Sequence, residues 1–500
     1  MDDRGMIRHF AHPATVAAVA LAALLFCAPL PFGSVTRWGA AALQTLAFAT
    51  FALAAWTART RDLKTVAAPA LALAAIAGLG ALQSLAWPRA LAALASPRFP
   101  GLRDAAVDRE AGGRVPLSLA PDVSAQTALT WAAVAAVLVA SAVAARRRDR
   151  RRWLTAAVLG AAVVQILYGS GPWISGSTEI WHTPVPGDPT RLRGTFVNPD
   201  HLAVYLEIGL AVAFAWGWWG MRRARREPMP IEGRLALVLP PVVVWLLLFM
   251  GLAFTGSRGG IVAAVVAVVA QGLLLARAAR SRRLAPVGAM AALAGIGVVA
   301  AIGVQEGFGR LASTSAYEVT WNARRQMYAA TWDLWRSFPW LGSGLGSFRD
   351  AIPLTQPDDL PGTWWHAHSD WLELPATVGL VGAALFFAGL APLVLRLARG
   401  WTAERPSEDR AAVLAALGAL VSLSIHESID FGLTMPATAV TLAALLGTAS
   451  MACGEGGAKE PIPDQSDQPV RAKAEEAAPS PAPAGPPKRP RSRGGRRARA

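Results

Sequence analysis

The sequence predicts an all-α polytopic membrane protein with about twelve transmembrane helices, a helical external loop subdomain and a disordered C-terminal tail. The chain is 53% hydrophobic and only 16% charged, whereas a soluble domain carries about 25% charged residues. Apolar runs of membrane-spanning length recur along most of the chain, and short arginine-rich loops alternate with loops that hold few basic residues. These three observations together indicate a membrane protein.

Twelve apolar runs come close to the roughly 20 residues that a helix needs to cross the hydrocarbon. We interpret the first as an uncleaved span rather than a signal peptide, because no clear small-x-small cleavage site follows it. The predicted spans cover about 12–31, 38–56, 65–87, 125–144, 154–170, 201–220, 235–254, 260–276, 285–303, 375–395, 411–425 and 436–452.

Five loops, hereafter the basic loops, carry nearly half of the arginines: residues 59–64, 146–152, 222–234, 277–283 and 396–410. In a twelve-span arrangement all five lie on the side of the N-terminus, so the positive-inside rule predicts that both termini are cytoplasmic. This topology accounts for the net charge of +15 without a nucleic-acid partner, and membrane lipids are the expected surroundings. The loops 88–124, 171–200, 255–259, 304–374 and 426–435 are then external.

We divide the chain into an N-terminal transmembrane bundle (1–170), a second transmembrane region (171–452) that includes the large external loop 304–374, and a disordered basic cytoplasmic tail (453–500). Within the large loop, the stretch from Trp321 to Phe338 has no glycine or proline, which predicts a helix. Pro339 and the glycines after it predict its end. The tail is rich in Gly, Pro, Ala and charged residues, a composition that cannot bury a core.

Arg258 is the most informative basic residue outside the basic loops. It lies in Thr255-Gly-Ser-Arg-Gly-Gly260, at the junction of two predicted spans. The flanking glycines leave backbone N–H groups open beside a guanidinium, a combination that suits a phosphate or diphosphate oxygen. The alternative is an arginine that extends to lipid headgroups.

His368 is the best candidate for a general base, since histidine titrates near neutral pH and this one lies where the large external loop meets a span. Asp370 or Glu373 could orient it. The alternative is a histidine that caps or packs the start of the span. We assign no function to His366, and a structural role is the safer interpretation for three residues of the last external turn: His426, Glu427 and Asp430.

The external segment 191–201 offers further candidates. We predict a catalytic role for Arg193 and a substrate-binding role for Arg191 and Asn198, although Arg191 could simply face water. Asp200 is better explained as a helix cap. In the large loop, Arg324 precedes Tyr328 by four residues, which places both on one helix face. We predict that Arg324 and Asp370 also contact substrate, with a local carboxylate as the other possible partner of Arg324.

No motif for a nucleotide, a dinucleotide or zinc is present. The two cysteines form no disulfide framework and no C-x-x-C pair. We therefore predict chemistry that runs without a cofactor or a metal.

With these residues identified, the chain resembles the O-antigen ligase and O-antigen polymerase superfamily of bacterial envelope proteins. The resemblance covers roughly residues 190–385 and rests on an ordered set of motifs rather than on any one of them. The set comprises Arg193 with Gly194-Thr-Phe-Val-Asn198, Thr255-Gly-Ser-Arg-Gly-Gly260, Arg324 with Tyr328, Pro339-Trp-Leu-Gly-Ser-Gly-Leu-Gly-Ser-Phe348, and His368-Ser-Asp-Trp-Leu372 with Gly379 and Gly382. Ser369 stands where the family usually has Asn, and Asp200 where it often has Asn.

The resemblance implies a membrane glycosyltransferase of lipopolysaccharide or polysaccharide biosynthesis, acting on the external, periplasmic face of the bacterial inner membrane. The donor would be a glycan on undecaprenyl diphosphate, and the acceptor a glycolipid such as lipid A-core, a second glycan or a protein hydroxyl. The family pattern gives the diphosphate to the arginines, here Arg193 and Arg258, and the acceptor hydroxyl to His368. A transporter or flippase for a lipid-linked envelope precursor is the alternative, and a scaffold of a glycan-assembly complex is a weaker one.

Overall fold

A computed structural model describes residues 13–99, 101–102, 113–279, 320–402 and 405–454. Its helices, numbered here in chain order, are α1 (Pro13–Cys27), α2 (Arg37–Ala55), α3 (Thr60–Ser84), α4 (Arg89–Ala95), α5 (Pro121–Ala144), α6 (Arg148–Ile174), α7 (Pro199–Arg226), α8 (Ile231–Thr255), α9 (Arg258–Ala279), α10 (Trp321–Ser337), α11 (Phe348–Ala351), α12 (Asp370–Thr402), α13 (Ser407–His426) and α14 (Pro436–Ala452). Two short antiparallel hairpins pair β1 (Ala86–Pro88) with β2 (Arg114–Pro116), and β3 (Glu179–Ile180) with β4 (Thr183–Pro184).

The helical, membrane-spanning class is confirmed. Nine helices of the described residues are long and apolar enough to cross a membrane, and α1 and α14 are shorter apolar helices. Eleven of the predicted spans coincide with one of these helices, whereas the predicted span at about 285–303 lies outside the described residues. The count of twelve therefore stays a prediction.

Helix α7 lies at the centre of the bundle. Every residue from 201 to 213 is buried, and α7 packs against α8, α9 and α13. One continuous apolar core joins it to α1, α5, α6, α13 and α14, while α3 packs between α5 and α12. A polar side chain in the middle of α7 is consequently surrounded by protein rather than by lipid.

Three of the basic loops, the first, second and fifth, are joined by ion pairs. In the second loop, Arg146 pairs with Asp62 of the first at 2.8 Å. Arg151 pairs with Asp409 of the fifth at 2.5 Å. These contacts agree with the prediction that the basic loops share a face. Whether that face and both termini are cytoplasmic stays a prediction.

The large loop contains the expected helix, α10, which ends one residue before Phe338. With α11 and the segment up to residue 367 it encloses a second, smaller apolar core, which includes Phe338, Phe348 and, from an earlier loop, Phe99. Helix α10 packs against α12. The described part of the loop thus forms a helical unit on the bundle, as predicted.

Helix α12 is interrupted at Gly379, which adopts φ 66° and ψ −174°. The two amides after the break leave the helix and bind the loop that follows α10: Leu380 N donates to Pro339 O at 2.8 Å, and Val381 N to Trp340 O at 3.1 Å. A Cβ atom at residue 379 would lie only 2.1 Å from Trp340 O. The break therefore requires glycine both for its backbone conformation and for this close approach.

The loop that docks on this break contains the glycines of the Pro339–Phe348 motif. All three glycines adopt positive φ: Gly342, Gly344 and Gly346. Buried Gln83 of α3 holds the loop from the other side, donating to Leu341 O at 2.6 Å and accepting from Leu345 N at 3.0 Å. An added Cβ would meet Thr377 of α12 at Gly342, Ser118 at Gly344 and Thr127 of α5 at Gly346, so these glycines let the loop pack closely against α12 and α5.

Both predicted transmembrane regions fall within one compact unit, Met1–Glu455. Their division at residue 170 stays a prediction. From residue 455 onward, the predicted disordered tail lies outside the described residues.

We expect Gly379→Ala to destabilise the protein by about 2 kcal/mol or more, because it adds a left-handed alanine and a clash with backbone. Gly78→Ala in α3 is the matched control, since nothing lies within 4 Å of a Cβ there, and it should be neutral or slightly stabilising. Thermal unfolding of both purified variants in detergent measures the difference. Equal melting temperatures for the two variants would contradict the role assigned to Gly379.

Candidate active site

Several titratable side chains meet at residues 427–431, between α13 and α14, hereafter the acidic turn. Its two carboxylates are buried, with Glu427 0% and Asp430 3% exposed. The backbone oxygens of both residues accept from the Asp370 amide, each at 3.0 Å. The acidic turn is thereby fixed to the start of α12.

Three histidines surround the ring of Phe431, the last residue of the acidic turn. His366 stacks on it with ring centroids 4.1 Å apart, and His368 and His201 meet it edge-on at 4.9 and 4.6 Å. The Phe431 ring therefore contacts one histidine of α7 and two of the loop before α12, and each imidazole can bind or release a proton.

His368 has a left-handed backbone conformation with φ 54°, which is uncommon for a residue other than glycine and concentrates at functional sites. Its carbonyl accepts from the Tyr328 hydroxyl at 2.8 Å, and its side chain is 15% exposed. The Nδ1 atom lies 3.7 Å from Asp430 Oδ1, a distance too long for a hydrogen bond but short enough for strong electrostatic attraction. The sequence suggested Asp370 or Glu373 as the carboxylate that orients His368, whereas the structure has Asp430 beside the imidazole.

Glu373 pairs instead with His366, for which the sequence predicted no role. The distance from His366 Nδ1 to Glu373 Oε1 is 2.9 Å, and Glu373 Oε2 accepts from Ala367 N at 2.8 Å. Burial lowers the pKa of His366, but the charge and hydrogen bond of Glu373, together with the charges of Asp370 and Asp430, more than offset this, so the pKa is above its ordinary value. This pair fixes the loop on which His368 lies.

The carboxyl groups around the acidic turn have pKa values shifted in opposite directions. Burial raises the pKa of Asp430, but the neighbouring histidines, His368 first, more than reverse this and hold it below its usual range. The pKa of Glu427 is raised well above its usual range by burial and by the charges of Asp370 and Asp430. Asp370 Oδ1 and Glu427 Oε1 accept from no donor among the described residues, and a proton shared between these two carboxyls would satisfy both atoms.

Arg258 emerges beside the acidic turn. It is the first residue of α9, its side chain is exposed, and it forms no ion pair with any described residue. The preceding residue, Ser257, caps α9 by accepting from Gly260 N at 3.2 Å, and its Oγ lies 3.4 Å from His426 Nε2. A Cβ added at Gly259 would meet Ile429 of the acidic turn at 2.7 Å, so the glycine allows the two segments to touch.

Arg324 reaches the same turn from α10. Its Nη1 donates to Ile429 O at 2.8 Å, and its buried Nε binds nothing in the described part of the chain. Tyr328, one helical turn later, binds the His368 carbonyl. The predicted shared face of Arg324 and Tyr328 is confirmed, and this face lies against the acidic turn and the His368 loop.

Arg193 is placed differently. It is 5% exposed, and its two terminal nitrogens donate to Pro186 O at 3.2 Å and Asp188 O at 3.1 Å. Burial lowers the pKa of Arg193. Its guanidinium therefore supports the external loop before α7, and its catalytic role stays a prediction.

Arg191 and Asn198 also organise this segment. Arg191 donates to Thr255 O at 2.6 Å and pairs with Asp200 at 2.7 Å. Asn198 is the N-cap of α7, because its Oδ1 accepts from Asp200 N at 2.9 Å; the sequence had favoured Asp200 as the cap. Arg191 thus ties this segment to the turn that carries Arg258.

Sequence reasoning missed Glu207, a carboxylate in the middle of α7. Glu207 is 1% exposed, accepts from the Ser422 hydroxyl at 2.6 Å and lies 2.6 Å from His426 Nδ1. The available signal was a lone acid inside a predicted span, which in a membrane is a functional candidate by default.

Among the described residues, no group of three or more His, Cys, Asp or Glu side chains is arranged to hold a metal ion. The histidines instead alternate with carboxylates and the Phe431 ring. As it stands, the cluster is suited to proton transfer and to holding charge.

The raised pKa of His366 predicts a pH-dependent contribution to stability. A histidine whose pKa is higher in the folded state stabilises fully below its unfolded value of about 6.5, and this is lost as pH rises through the folded value. We expect wild type to exceed Glu373→Gln in melting temperature most at pH 5.5 and least at pH 8.5. The exposed Glu179→Gln should show no such trend. A wild-type advantage that grew with pH would contradict the assignment.

Comparison with known proteins identifies the region around the site. Residues 242–387 match the family model described as O-Antigen ligase, a stretch that contains α9, α10, the Gly379 break and His368. A search of curated proteins finds no match to the chain. Residues 242–387 are thus similar to an O-antigen ligase domain, and this match supports membership of the chain in the O-antigen ligase superfamily.

Proposed function

We propose that this protein transfers a glycan from undecaprenyl diphosphate to an acceptor hydroxyl at the acidic turn, on the external face of the membrane. The observation that carries the proposal is the meeting of three elements at one buried turn: strained His368 beside Asp430, Arg258, which forms no ion pair with a described residue, and Arg324 on Ile429 O. The family match supports glycan transfer by a ligase or polymerase type of enzyme.

His368 acts as the general base. It takes the proton of the acceptor hydroxyl as the oxygen attacks the anomeric carbon of the donor. The bond from that carbon to the diphosphate oxygen breaks, and the diphosphate leaves with the electron pair. Asp430, whose low pKa keeps it ionised, stabilises the imidazolium that forms.

Arg258 binds the leaving diphosphate. A guanidinium offers two parallel N–H groups to phosphate oxygens and stays charged throughout, so it can neutralise the leaving group without a divalent cation. Arg324 is the second arginine of the site, since its buried Nε has no partner among the described residues. Arg193 is a less direct candidate, because two of its donors already hold backbone carbonyls.

The acceptor determines whether the enzyme is a ligase, a polymerase or a protein glycosyltransferase. Mass spectrometry of envelope glycans from a deletion strain distinguishes these. Glycan missing from lipid A-core indicates a ligase, single repeat units left on the carrier or core indicate a polymerase, and glycan missing from a protein indicates a protein acceptor. Reconstituted vesicles that flip the lipid-linked glycan and form no transfer product would favour the transporter alternative.

We expect His368→Asn to reduce glycan transfer by about 10²- to 10⁴-fold at unchanged membrane levels, the range typical of a lost general base. Asparagine tolerates the left-handed backbone, so the change removes the imidazole with little added strain. His182→Asn is matched, because His182 is exposed and also left-handed at φ 62°, and it should keep wild-type transfer. Surface glycan at wild-type levels in the His368 variant would rule out its role as base.

We expect Arg258→Lys to lose transfer by roughly tenfold or more although the charge is kept, because an ammonium cannot form the bidentate contact. The control is Arg277→Lys, an exposed residue near the other end of the same helix. Transfer by purified protein is assayed in excess EDTA, where wild type and control should remain active. Loss of wild-type transfer in EDTA with recovery on adding manganese would refute the arginine mechanism.

A further inference from the structure

At the other end of α12 from the acidic turn lies a cavity of ≈ 480 Å³, between α3, α12 and the end of α14. Its rim carries four basic residues: Lys64, Arg396, Arg399 and Arg405. Its lining also includes apolar residues, of which Pro69 and Leu393 are buried. We propose that this cavity binds the phosphate and upper acyl region of an anionic phospholipid.

The charge of the cavity is unbalanced. The described residues that line it include no carboxylate. Asp409, which acts on Cys453 at the cavity edge, is already paired with Arg148 and Arg151. Positive charges gathered in one cavity repel one another unless an anion joins them, and a phosphate with several acceptor oxygens is the anion that guanidinium groups fit.

Two of the four basic side chains, Arg396 and Arg405, use only some of their N–H groups in hydrogen bonds to the protein. Arg405 donates to Cys453 O at 2.8 Å and Gly454 O at 2.9 Å, and its buried Nε has no partner among the described residues. Arg396 uses its Nε on Ser450 O at 3.2 Å. These contacts hold both side chains beside the end of α14, so part of the site is preorganised.

Lys64 and Arg399 are exposed and make no ion pair within the described part of the chain. Each can turn toward the cavity at little cost, since no existing contact is lost. These two residues can therefore be changed without removing a contact that the fold uses.

The apolar side of the cavity distinguishes a lipid from a free phosphate ion. Ala68 and Pro392 line the cavity and are exposed, as are the large side chains Leu71 (69%) and Leu395 (54%) on the same two helices. In a membrane these surfaces face acyl chains. A ligand with a phosphate at the basic rim and hydrocarbon along α3 and α12 matches both parts, and basic pockets between transmembrane helices bind anionic headgroups in this way.

Two features of α3 and α12 lie near the cavity: a close contact between the helices and a proline inside each of them. At Gly389 the helices touch so closely that an added Cβ would meet Ala72 at 2.2 Å. Toward the basic end they carry Pro69 and Pro392, both inside a helix. The carbonyl that Pro69 leaves unpaired, Thr65 O, accepts from the Ser450 hydroxyl at 2.8 Å. A lipid in the cavity would contact α3, α12 and the end of α14 together. Ser450 of α14 already connects the same three helices, through Thr65 O and Arg396.

The test compares lipid retained by full-length protein in nanodiscs of defined composition, measured by native mass spectrometry. We expect wild type to retain phosphatidylglycerol in preference to phosphatidylcholine with the same acyl chains. Lys64→Gln combined with Arg399→Gln should weaken that retention by about tenfold or more, since each basic group near the surface contributes appreciably to anionic lipid binding. The matched control is Arg226→Gln with Arg277→Gln, which removes the same charge from exposed residues that do not line the cavity.

Three outcomes would overturn the proposal. Equal loss in both double variants would mean that overall charge, not the cavity, attracts the lipid. Displacement of the lipid by millimolar inorganic phosphate would identify a free anion as the ligand. Lipid retention that appears only after residues 455–500 are removed would show that the tail, which contains acidic residues, occupies the cavity. Because the measurement is of bound lipid, its result is independent of glycan transfer.

Discussion

Buried charge is the constraint on which the arrangement of helices depends. Glu207, Glu427 and Asp430 are each less than 4% exposed, and an isolated ionised carboxylate in such surroundings costs far more than one partnered contact returns. Each is therefore provided with partners: a histidine and a hydroxyl for Glu207, histidines for Asp430, and for Glu427 a raised pKa and the amide of Gly432 just after the acidic turn. Since the partners of Glu207 and Asp430 come from α7, α13 and the loop before α12, satisfying these two charges fixes how the three elements lie against one another.

The same constraint explains why the candidate catalytic group is strained. His368 lies between two residues that are already held: His366 by Glu373, and Asp370 by the acidic turn. With both neighbours fixed, the backbone between them has little freedom left, and the left-handed conformation persists because the surrounding contacts over-determine it. The Tyr328 hydroxyl on the His368 carbonyl adds a third restraint. The imidazole is thus held in place by contacts of the neighbouring residues and of the His368 carbonyl, rather than by contacts of the ring itself.

Local sequence signals predicted the helices well because span length, apolarity and turn residues act over a few neighbouring residues. They also identified Arg258, Arg324 and His368, which do converge on one turn. They could not identify Asp430 as the carboxylate beside His368, because that contact joins residues 62 positions apart and depends on how α12 and α13 pack. Asp370 and Glu373 were nearer in sequence, but the start of α12 directs them to Leu433 N and to His366. Nor does any local pattern reveal that the terminal nitrogens of Arg193 donate to two backbone carbonyls.

The break at Gly379 divides α12 into a short segment, which carries Asp370 and Glu373, and a longer one of roughly 35 Å at 1.5 Å per residue. Only the longer segment is long enough to match the hydrocarbon thickness of a bilayer. A membrane that thins or thickens changes the tilt of such a helix. Because the amides after the break bind the docked loop rather than the preceding turn, the helical hydrogen bonds are interrupted at residue 379. The candidate site therefore lies on the short segment, whose direction is set by the docked loop and the acidic turn, and not on the segment that matches the bilayer.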